Sequence, residues 1–146
     1  MKRIIKMLGF VLALISLLAF PVLAEDQTPR ASSYFVATRT YLDQTDTSKF
    51  DIWFEVTAKR TMLELGVESI VVKRSADGNN WTTMRTCVPS VYPQMIRTNT
   101  AFHCNCVSYN ATAGYYYKAY VTYYAKDSNG IGTYSTWTDI LYLPSN

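Results

Sequence analysis

The chain has 146 residues, of which 49% are hydrophobic and 17% charged, and its formal net charge is +3. The length predicts one domain, and the chain has no internal repeat or low-complexity tract that would indicate an array or a second domain. The slight positive charge would by itself suggest nucleic acid or an anionic membrane as a partner. That interpretation loses its support if the N-terminal segment is removed, because the segment contains the three basic residues that make up the excess.

Residues 1–24 are typical of a secretory signal peptide of bacterial type. A basic start at Lys2, Arg3 and Lys6 precedes an apolar run over residues 7–20, and the segment ends in Val-Leu-Ala at Ala24. The run has about 14 residues and a bilayer span needs roughly 20, so we expect cleavage and not an uncleaved anchor. Cleavage leaves 11 basic and 11 acidic residues. We therefore expect a secreted, extracellular, formally neutral protein, with neither a membrane nor a nucleic acid as its partner.

Alternating hydrophobic and polar residues predict a β-rich domain over residues 33–143, after a flexible polar lead-in at 25–32. The clearest strand is 50–59, where residues from Phe50 to Ala58 at every second position are hydrophobic and those between them are mostly polar. Together with this segment, six more runs rich in Val, Ile, Thr, Tyr and Trp make seven predicted strands. These six lie at 33–41, 68–75, 81–88, 98–109, 115–126 and 133–143.

Two turns of hairpin composition separate the predicted strands, at residues 77–80 (DGNN) and 127–130 (DSNG). Residues 61–67 alone have a helix-forming composition, and we expect a turn or two of helix there. Seven short strands with hairpin turns favour two antiparallel sheets packed face to face, with a closed barrel as the alternative.

Residues 71–82 (VVKRSADGNNWT) resemble the third strand, turn and following strand of fibronectin type III and related immunoglobulin-like domains. Residues 114–121 (GYYYKAYV) and 134–137 (YSTW) are similar to the last two strands of that family. The resemblance implies a seven-stranded antiparallel sandwich with a binding or spacer role and without catalytic residues. It also implies that a tyrosine near the start of the sixth strand, Tyr115 or Tyr117, hydrogen-bonds back across the preceding loop.

Three cysteines, Cys87, Cys104 and Cys106, remain after the leader, and export makes one intramolecular disulfide plausible. Cys104 and Cys106 share one face of a strand at a separation of roughly 7 Å, which disfavours a bond between them. We expect Cys87 to pair with Cys104, with Cys106 as the alternative partner. The spare thiol is either a buried, inert side chain or a link between two chains in a dimer.

His103 is the single histidine of the chain and lies beside Cys104. A zinc site with the three cysteines is disfavoured, because on a strand His103 points away from both neighbours and no paired Cys-x-x-Cys motif is present. A nucleophilic pair of Cys87 with His103 would make a thiol-dependent enzyme. The carboxylates are scattered, with Glu55 and Glu68 as first candidates only if a cleft brought them together. We expect no cofactor, no metal and no enzymatic activity.

Six tyrosines lie between residues 115 and 124, and the alternation of a strand divides them between two faces. The more apolar set, which includes Tyr117 and Tyr123, should face the core. The other set places Tyr116, Lys118, Tyr120 and Tyr124 on an exposed surface, which Trp53 would join if the sheets pair accordingly. Exposed tyrosines suit ligand binding, although aromatic residues also stabilise outer sheet faces by cross-strand packing alone.

The sequence therefore predicts a secreted, non-enzymatic module that binds an extracellular protein or glycan through its aromatic sheet face. The alternative is a structural component of a cell-surface or extracellular assembly, in which the spare thiol or an uncovered sheet edge joins copies. A thiol-dependent enzyme using Cys87 and His103 is the third hypothesis.

Overall fold

The computed structural model describes residues 31–145, and these residues form an antiparallel β structure preceded by a single turn of helix. The elements in chain order are α1 (Ala31–Tyr34), β1 (Phe35–Asp46), β2 (Lys49–Ser75), β3 (Thr82–Cys87), a 3-10 turn (Pro93–Met95), β4 (Ile96–Asn110), β5 (Tyr115–Asp127), β6 (Gly130–Trp137) and β7 (Leu141–Leu143). The predicted leader and all but the last two residues of the predicted lead-in lie outside the described residues. Within 31–145, no helix has the length and apolar character that a membrane span requires.

The sheet is organised around β2, which pairs with four other strands. On one side, β2 pairs first with β1 and then with β5, and on the other it pairs first with β4 and then with β3. Strand β5 continues the sheet by pairing with β6 and β7. All of these pairings are antiparallel, which confirms the predicted all-β class.

Residues 61–67 are part of β2 and not the predicted helix. Met62 pairs with Thr100 of β4, and Glu64 pairs with Thr98 of β4 and with Lys126 of β5. Met62 and Leu65 are buried. Pairing on both sides and burial outweigh the weak helix preference of this composition, since propensity differences are only tenths of a kcal/mol per residue. The predicted strands 50–59 and 68–75 are thereby joined into one strand of 27 residues.

The long β2 bends, so that the sheet curls around one core. Between Thr57 and Met62 the register with β4 is irregular, and four residues of β2 face one residue of β4. We call the first arm of the sheet β1 together with residues 49–57 of β2 and residues 102–110 of β4. The second arm consists of residues 64–75 of β2 together with β3, β5, β6 and β7. Phe50 of the first arm contacts Tyr117 of the second, with ring centroids 5.1 Å apart. Their inward side chains therefore form a single core.

The core consists of the inward-facing residues of both arms. Its fully buried side chains of largest volume are Tyr117, Tyr123, Phe50, Phe54, Ile52, Met62, Leu65, Ile70, Met95, Leu143, Val56 and Val67. The Tyr123 hydroxyl donates a hydrogen bond of 2.6 Å to the Arg39 carbonyl, which links β5 to β1 across this core. This curled sheet is compatible with the predicted sandwich architecture.

The described residues contain seven strands, but their division differs from the prediction. The predicted strand 133–143 is interrupted after Trp137, where the Thr138 amide donates to the Ala119 carbonyl and the Thr138 hydroxyl accepts from the Ala119 amide. This buried threonine separates β6 from the short β7, and both strands pair with β5.

Candidate functional site

The side chains of β5 alternate between the core and an outer surface. Tyr117, Ala119, Val121, Tyr123 and Ala125 are buried, and the residues between them are partly exposed. Tyr116, Lys118, Tyr120 and Tyr124 therefore point outward from the second arm, which is the orientation expected from the alternating pattern.

Aromatic residues on neighbouring strands pair with two of these tyrosines. Tyr120 lies opposite Trp137 of β6, and Tyr116 lies opposite Tyr142 of β7. The ring centroids are 4.7 Å apart in both pairs. Directly opposed rings on adjacent strands hold each other in fixed orientations, because cross-strand aromatic pairs pack within this distance.

Lys118 lies on β5 between Tyr116 and Tyr120, and its ammonium group lies over the indole rings of Trp81 and Trp137. Its Nζ atom is 4.2 Å from the ring centroid of Trp81 and 4.5 Å from that of Trp137. Lys73 of β2 pairs directly with Lys118, and its Nζ atom is 5.6 Å from the Trp137 centroid. Each distance is within the range of a cation–π interaction, so the indoles stabilise the ammonium groups.

We call this outward surface of the second arm the aromatic face. It consists of Lys73, Trp81, Tyr116, Lys118, Tyr120, Trp137 and Tyr142. Trp137 is 43% exposed and Tyr142 is 45% exposed, so both present ring area to solvent. A shallow depression of about 290 Å³ adjoins it and is lined by Tyr120, Thr133, Tyr134 and Ser135. The face can stack against a planar or apolar ligand surface and offer two cations to an anionic group.

Tyr124 has a different environment from the other outward tyrosines. It lies opposite Thr133 and forms no ring contact with another aromatic residue among those described. Partial burial, and then the negative charge of nearby Glu64, raise the pKa of its hydroxyl. Glu64 also accepts a 2.8 Å hydrogen bond from Lys126. Tyr124 therefore belongs to a polar cluster at the end of β5.

Trp53 is not brought to the aromatic face. It pairs with Tyr41 of β1 and with Cys106 of β4, and its ring stacks on that of Tyr41 at 6.3 Å. These residues lie on the outer surface of the first arm. The inner surfaces of both arms face the common core. Trp53 therefore lies on the outer surface of the first arm, and the aromatic face lies on the outer surface of the second arm.

Four residues of the aromatic face were not singled out from the sequence, and they are Lys73, Trp81, Trp137 and Tyr142. Trp137 could have been found, because the two-residue loop between Asp127 and Gly130 sets the hairpin register and places Trp137 opposite Tyr120. Tyr142 follows the interruption after β6, where the register with β5 shifts by one residue, so the hairpin loop does not fix its position. No local signal indicates that Trp81 lies over Lys118.

All three cysteines are free thiols in this structure, so the expected bond between Cys87 and Cys104 is not formed. Cys87 is buried on the inner side of β3 in the second arm. Cys104 is exposed and Cys106 is partly exposed, on the outer side of β4 in the first arm. A side chain in the core and one on an outer surface cannot meet without backbone movement, and the same geometry disfavours Cys106 as the partner.

His103 points into the core, away from Cys104 and Cys106, as expected for adjacent strand residues. Its Nε2 atom is 2.8 Å from the Gln94 carbonyl oxygen, and its buried Nδ1 atom has no hydrogen-bond partner among the described residues. Burial lowers the pKa of this imidazole and raises that of the Cys87 thiol. Neither ring nitrogen of His103 is hydrogen-bonded to Cys87, so the structure does not join them as a nucleophile and its base.

The two candidate carboxylates, Glu55 and Glu68, lie on different arms of the sheet. Glu55 lies on the first arm opposite Arg39, and Glu68 is exposed on the second arm at an irregularity between β2 and β5. Residues 31–145 contain no group of three or more His, Cys, Asp or Glu side chains arranged to hold a metal ion. The aromatic face is therefore the described surface with the most developed arrangement for ligand binding.

Comparisons with known proteins return no match at any level. No family model matches the chain, no curated protein matches it, and no solved structure matches it.

Proposed function

We propose that this chain is a secreted, non-enzymatic binding module that recognises an extracellular glycan through the aromatic face. The observation that carries the proposal is the row of ordered rings and cations on the second arm, Tyr142, Tyr116, Lys118, Trp137 and Tyr120, fixed by cross-strand contacts of 4.7 Å or less. Rings held in place before binding lose little conformational freedom when a ligand stacks on them.

The size of the face favours a glycan over a protein as its ligand. A stable protein interface involves about 20–30 residues on each side. The aromatic face has seven side chains, and its depression is shallow, which suits a sugar chain lying along the surface. A protein ligand is the alternative that the experiment below distinguishes.

The finer assignment of the fold is also a proposal. We infer a fibronectin type III or immunoglobulin-like sandwich that follows a cleaved leader, and the contact that supports it is made by Tyr117. Its hydroxyl accepts from the Thr112 amide at 2.8 Å and donates to the Thr112 carbonyl at 2.9 Å. A tyrosine near the start of the sixth strand that bonds to backbone a few residues upstream is a feature of such domains. Tyr117 lies on β5, which is the sixth strand when the two predicted strands joined in β2 are counted separately. The unbroken β2 is a departure from what the resemblance implies.

The test is a binding screen of the protein against panels of glycans and of extracellular proteins, with a variant on each arm. Tyr120→Ala combined with Trp137→Ala removes one ring pair of the aromatic face. Tyr41→Ala combined with Trp53→Ala removes the stacked pair of the first arm and is the matched control. We expect glycan binding to fall at least about tenfold in the first variant, which is about 1.4 kcal/mol, and to change little in the second.

Both variants are first compared by circular dichroism to establish that they fold. Equal binding by the wild type and by the Tyr120→Ala, Trp137→Ala variant would remove the aromatic face from consideration. Loss of glycan binding in the Tyr41→Ala, Trp53→Ala variant alone would place the site on the first arm, where Trp53 lies. Binding to a protein panel member and to no glycan would replace the glycan with a protein ligand.

A second function, assembly of copies, is favoured by the edge formed by β4. This strand has 15 residues and, among the described strands, pairs with β2 alone. Cys104 is exposed on its outer side, and unpaired strand edges readily take up another strand. An assembly linked through Cys104 would lose mass on addition of reductant, and one held by pairing of β4 edges would stay larger than a monomer with and without reductant, whereas a monomeric binding module would have the monomer mass in both conditions. Light scattering with and without reductant, on wild type and Cys104→Ser, separates the two.

A further inference from the structure

The pairing of Lys73 with Lys118 places two positive charges directly opposite each other on adjacent strands. Like charges in this position destabilise a sheet, so the arrangement needs compensation. The Trp137 ring is shared by both ammonium groups, at 5.6 Å from Lys73 and 4.5 Å from Lys118. This ring offsets part of the repulsion and holds the two charges on one side of the sheet.

Neither lysine has a carboxylate partner among the described residues. The two ion pairs found there are Arg60 with Asp127 and Glu64 with Lys126. Asp77, in the loop between β2 and β3, accepts hydrogen bonds from the backbone amides of Asn79 and Asn80 in the same loop. The ammonium groups of Lys73 and Lys118 are thus available to an anion from outside the chain.

Apolar ring surface borders the two cations. Trp81 contacts Lys118, the Tyr120 ring lies against Trp137, and Tyr116 lies against Tyr142. Along β5, Tyr116, Lys118 and Tyr120 follow one another at steps of about 6.8 Å, which is twice the rise per residue. A ligand that matches this pattern combines a stacking surface with an anionic group beside it.

We infer that Lys73 and Lys118 form an anion subsite of the aromatic face, and that the ligand is an acidic polysaccharide whose sugars carry carboxylate or sulfate groups. The inference rests on the glycan binding proposed above and specifies its chemical class. The sugar rings lie on Trp137 and Tyr120, and the anionic substituent lies between the two ammonium groups. Charge-assisted contacts to both lysines then distinguish acidic from neutral chains.

The experiment measures dissociation constants by calorimetry for four polymers with the full chain after leader removal. The polymers are polygalacturonate for carboxylate, dextran sulfate for sulfate, unmodified dextran as the neutral chain, and poly-glutamate as an acidic peptide. Lys73→Met with Lys118→Met keeps the apolar stems and removes both charges. Lys49→Met with Lys59→Met removes two charges elsewhere and matches the change in net charge.

We expect wild type to bind at least one acidic polysaccharide about tenfold or more tightly than dextran, with affinity that falls as salt is raised. The Lys73→Met, Lys118→Met variant should lose that preference while retaining its affinity for dextran, and the Lys49→Met, Lys59→Met control should bind as wild type does. Comparing polygalacturonate with dextran sulfate identifies which anionic group the subsite takes.

Two results would overturn the inference while leaving glycan binding intact. One is equal affinity of wild type for dextran and for both acidic polysaccharides, and the other is an acidic preference that survives in the Lys73→Met, Lys118→Met variant. Tighter binding of poly-glutamate than of any polysaccharide would replace the sugar with an acidic peptide. Failure of the proposed function itself gives a different result, in which no polysaccharide binds and the Tyr120→Ala, Trp137→Ala variant behaves as wild type.

Discussion

At the scale of single residues, Tyr117 has one hydroxyl that meets both backbone groups of Thr112. The hydrogen bonds of 2.8 and 2.9 Å fix the loop that leads into β5. Tyr117→Phe should lower the free energy of unfolding by about 1 kcal/mol, because water reaches the exposed Thr112 backbone and limits the loss. Urea denaturation measures this change.

Tyr115→Phe is the matched control for that measurement. The Tyr115 ring stacks with the Arg74 guanidinium at 4.3 Å, and its hydroxyl makes no hydrogen bond to another described residue. Its removal should leave the denaturation midpoint nearly unchanged. An equal effect of both substitutions would show that the hydroxyl of Tyr117 has no special role.

His103 gives the protein a pH-dependent stability. Burial lowers the pKa of the folded imidazole below the ordinary value of 6.5. Below that value the unfolded chain takes up a proton that the folded chain does not, so the free energy of unfolding falls as the pH decreases from about 7 to about 5. Above pH 7 the imidazole is neutral in both states, and its contribution is constant.

The His103→Leu variant lacks this titration. Its free energy of unfolding, measured by urea denaturation at several pH values in the same interval, should decline less steeply than that of wild type. The comparison uses slopes, because the substitution also changes core packing and the contact with Gln94 at every pH. Parallel slopes in the two proteins would contradict the assignment of a lowered pKa to His103.

At the scale of secondary structure elements, β2 and the chain at the start of β4 approach each other closely at Gly66. This residue pairs with Ile96, and a Cβ atom at position 66 would lie 2.0 Å from the Met95 carbonyl oxygen. The neighbouring atom belongs to the backbone and cannot rotate away. Gly66→Ala should therefore force β2 and β4 apart and lower the free energy of unfolding by about 1–3 kcal/mol.

Ser69→Ala is the control for Gly66→Ala, since Ser69 is only partly buried and lies on the same strand. Thermal unfolding followed by circular dichroism should show a clear decrease in Tm for Gly66→Ala and a small change for Ser69→Ala. A Gly66→Ala protein as stable as wild type would mean that the strands separate there at little cost.

The elements also show where sequence patterns lose their predictive value. Residues 50–59 form a strand as predicted, because regular alternation of hydrophobic and polar residues is the pattern of a strand with one buried side. Residues 61–67 were predicted as helix from their composition, yet they are the segment where β2 pairs with both β4 and β5. The strands with which this segment pairs lie far away in the chain. The composition of a few neighbouring residues therefore could not indicate the pairing.

At the scale of the whole molecule, the two arms share β2 and one core, and they should unfold together. Phe50 contacts Tyr109 of the first arm at 5.2 Å and Tyr117 of the second at 5.1 Å. Phe50→Ala removes a fully buried ring between the two arms and should lower the free energy of unfolding by about 3–5 kcal/mol. Val36→Ala, at a site 65% exposed, should cost little and is the control.

Tryptophan fluorescence tests the cooperativity of the arms. A Trp53→Phe background leaves reporters in the second arm, and a Trp81→Phe, Trp137→Phe background leaves Trp53 in the first. The two backgrounds should each show one transition that coincides with the transition seen by circular dichroism. Separate transitions for fluorescence and circular dichroism would indicate arms that unfold independently.

The sequence by itself determined the all-β class and the face on which the side chains of residues 50–59 in β2 and of residues 115–126 in β5 lie. It could do so because side-chain direction in a strand alternates with a period of two, which is a local property. Tertiary structure alone decided that β2 is continuous, that Cys87 and Cys104 face different surroundings, and that Trp53 lies apart from Tyr120. It also brought Lys73, Trp81, Trp137 and Tyr142 together, since strand neighbours depend on bends, register shifts and interruptions far apart in the chain.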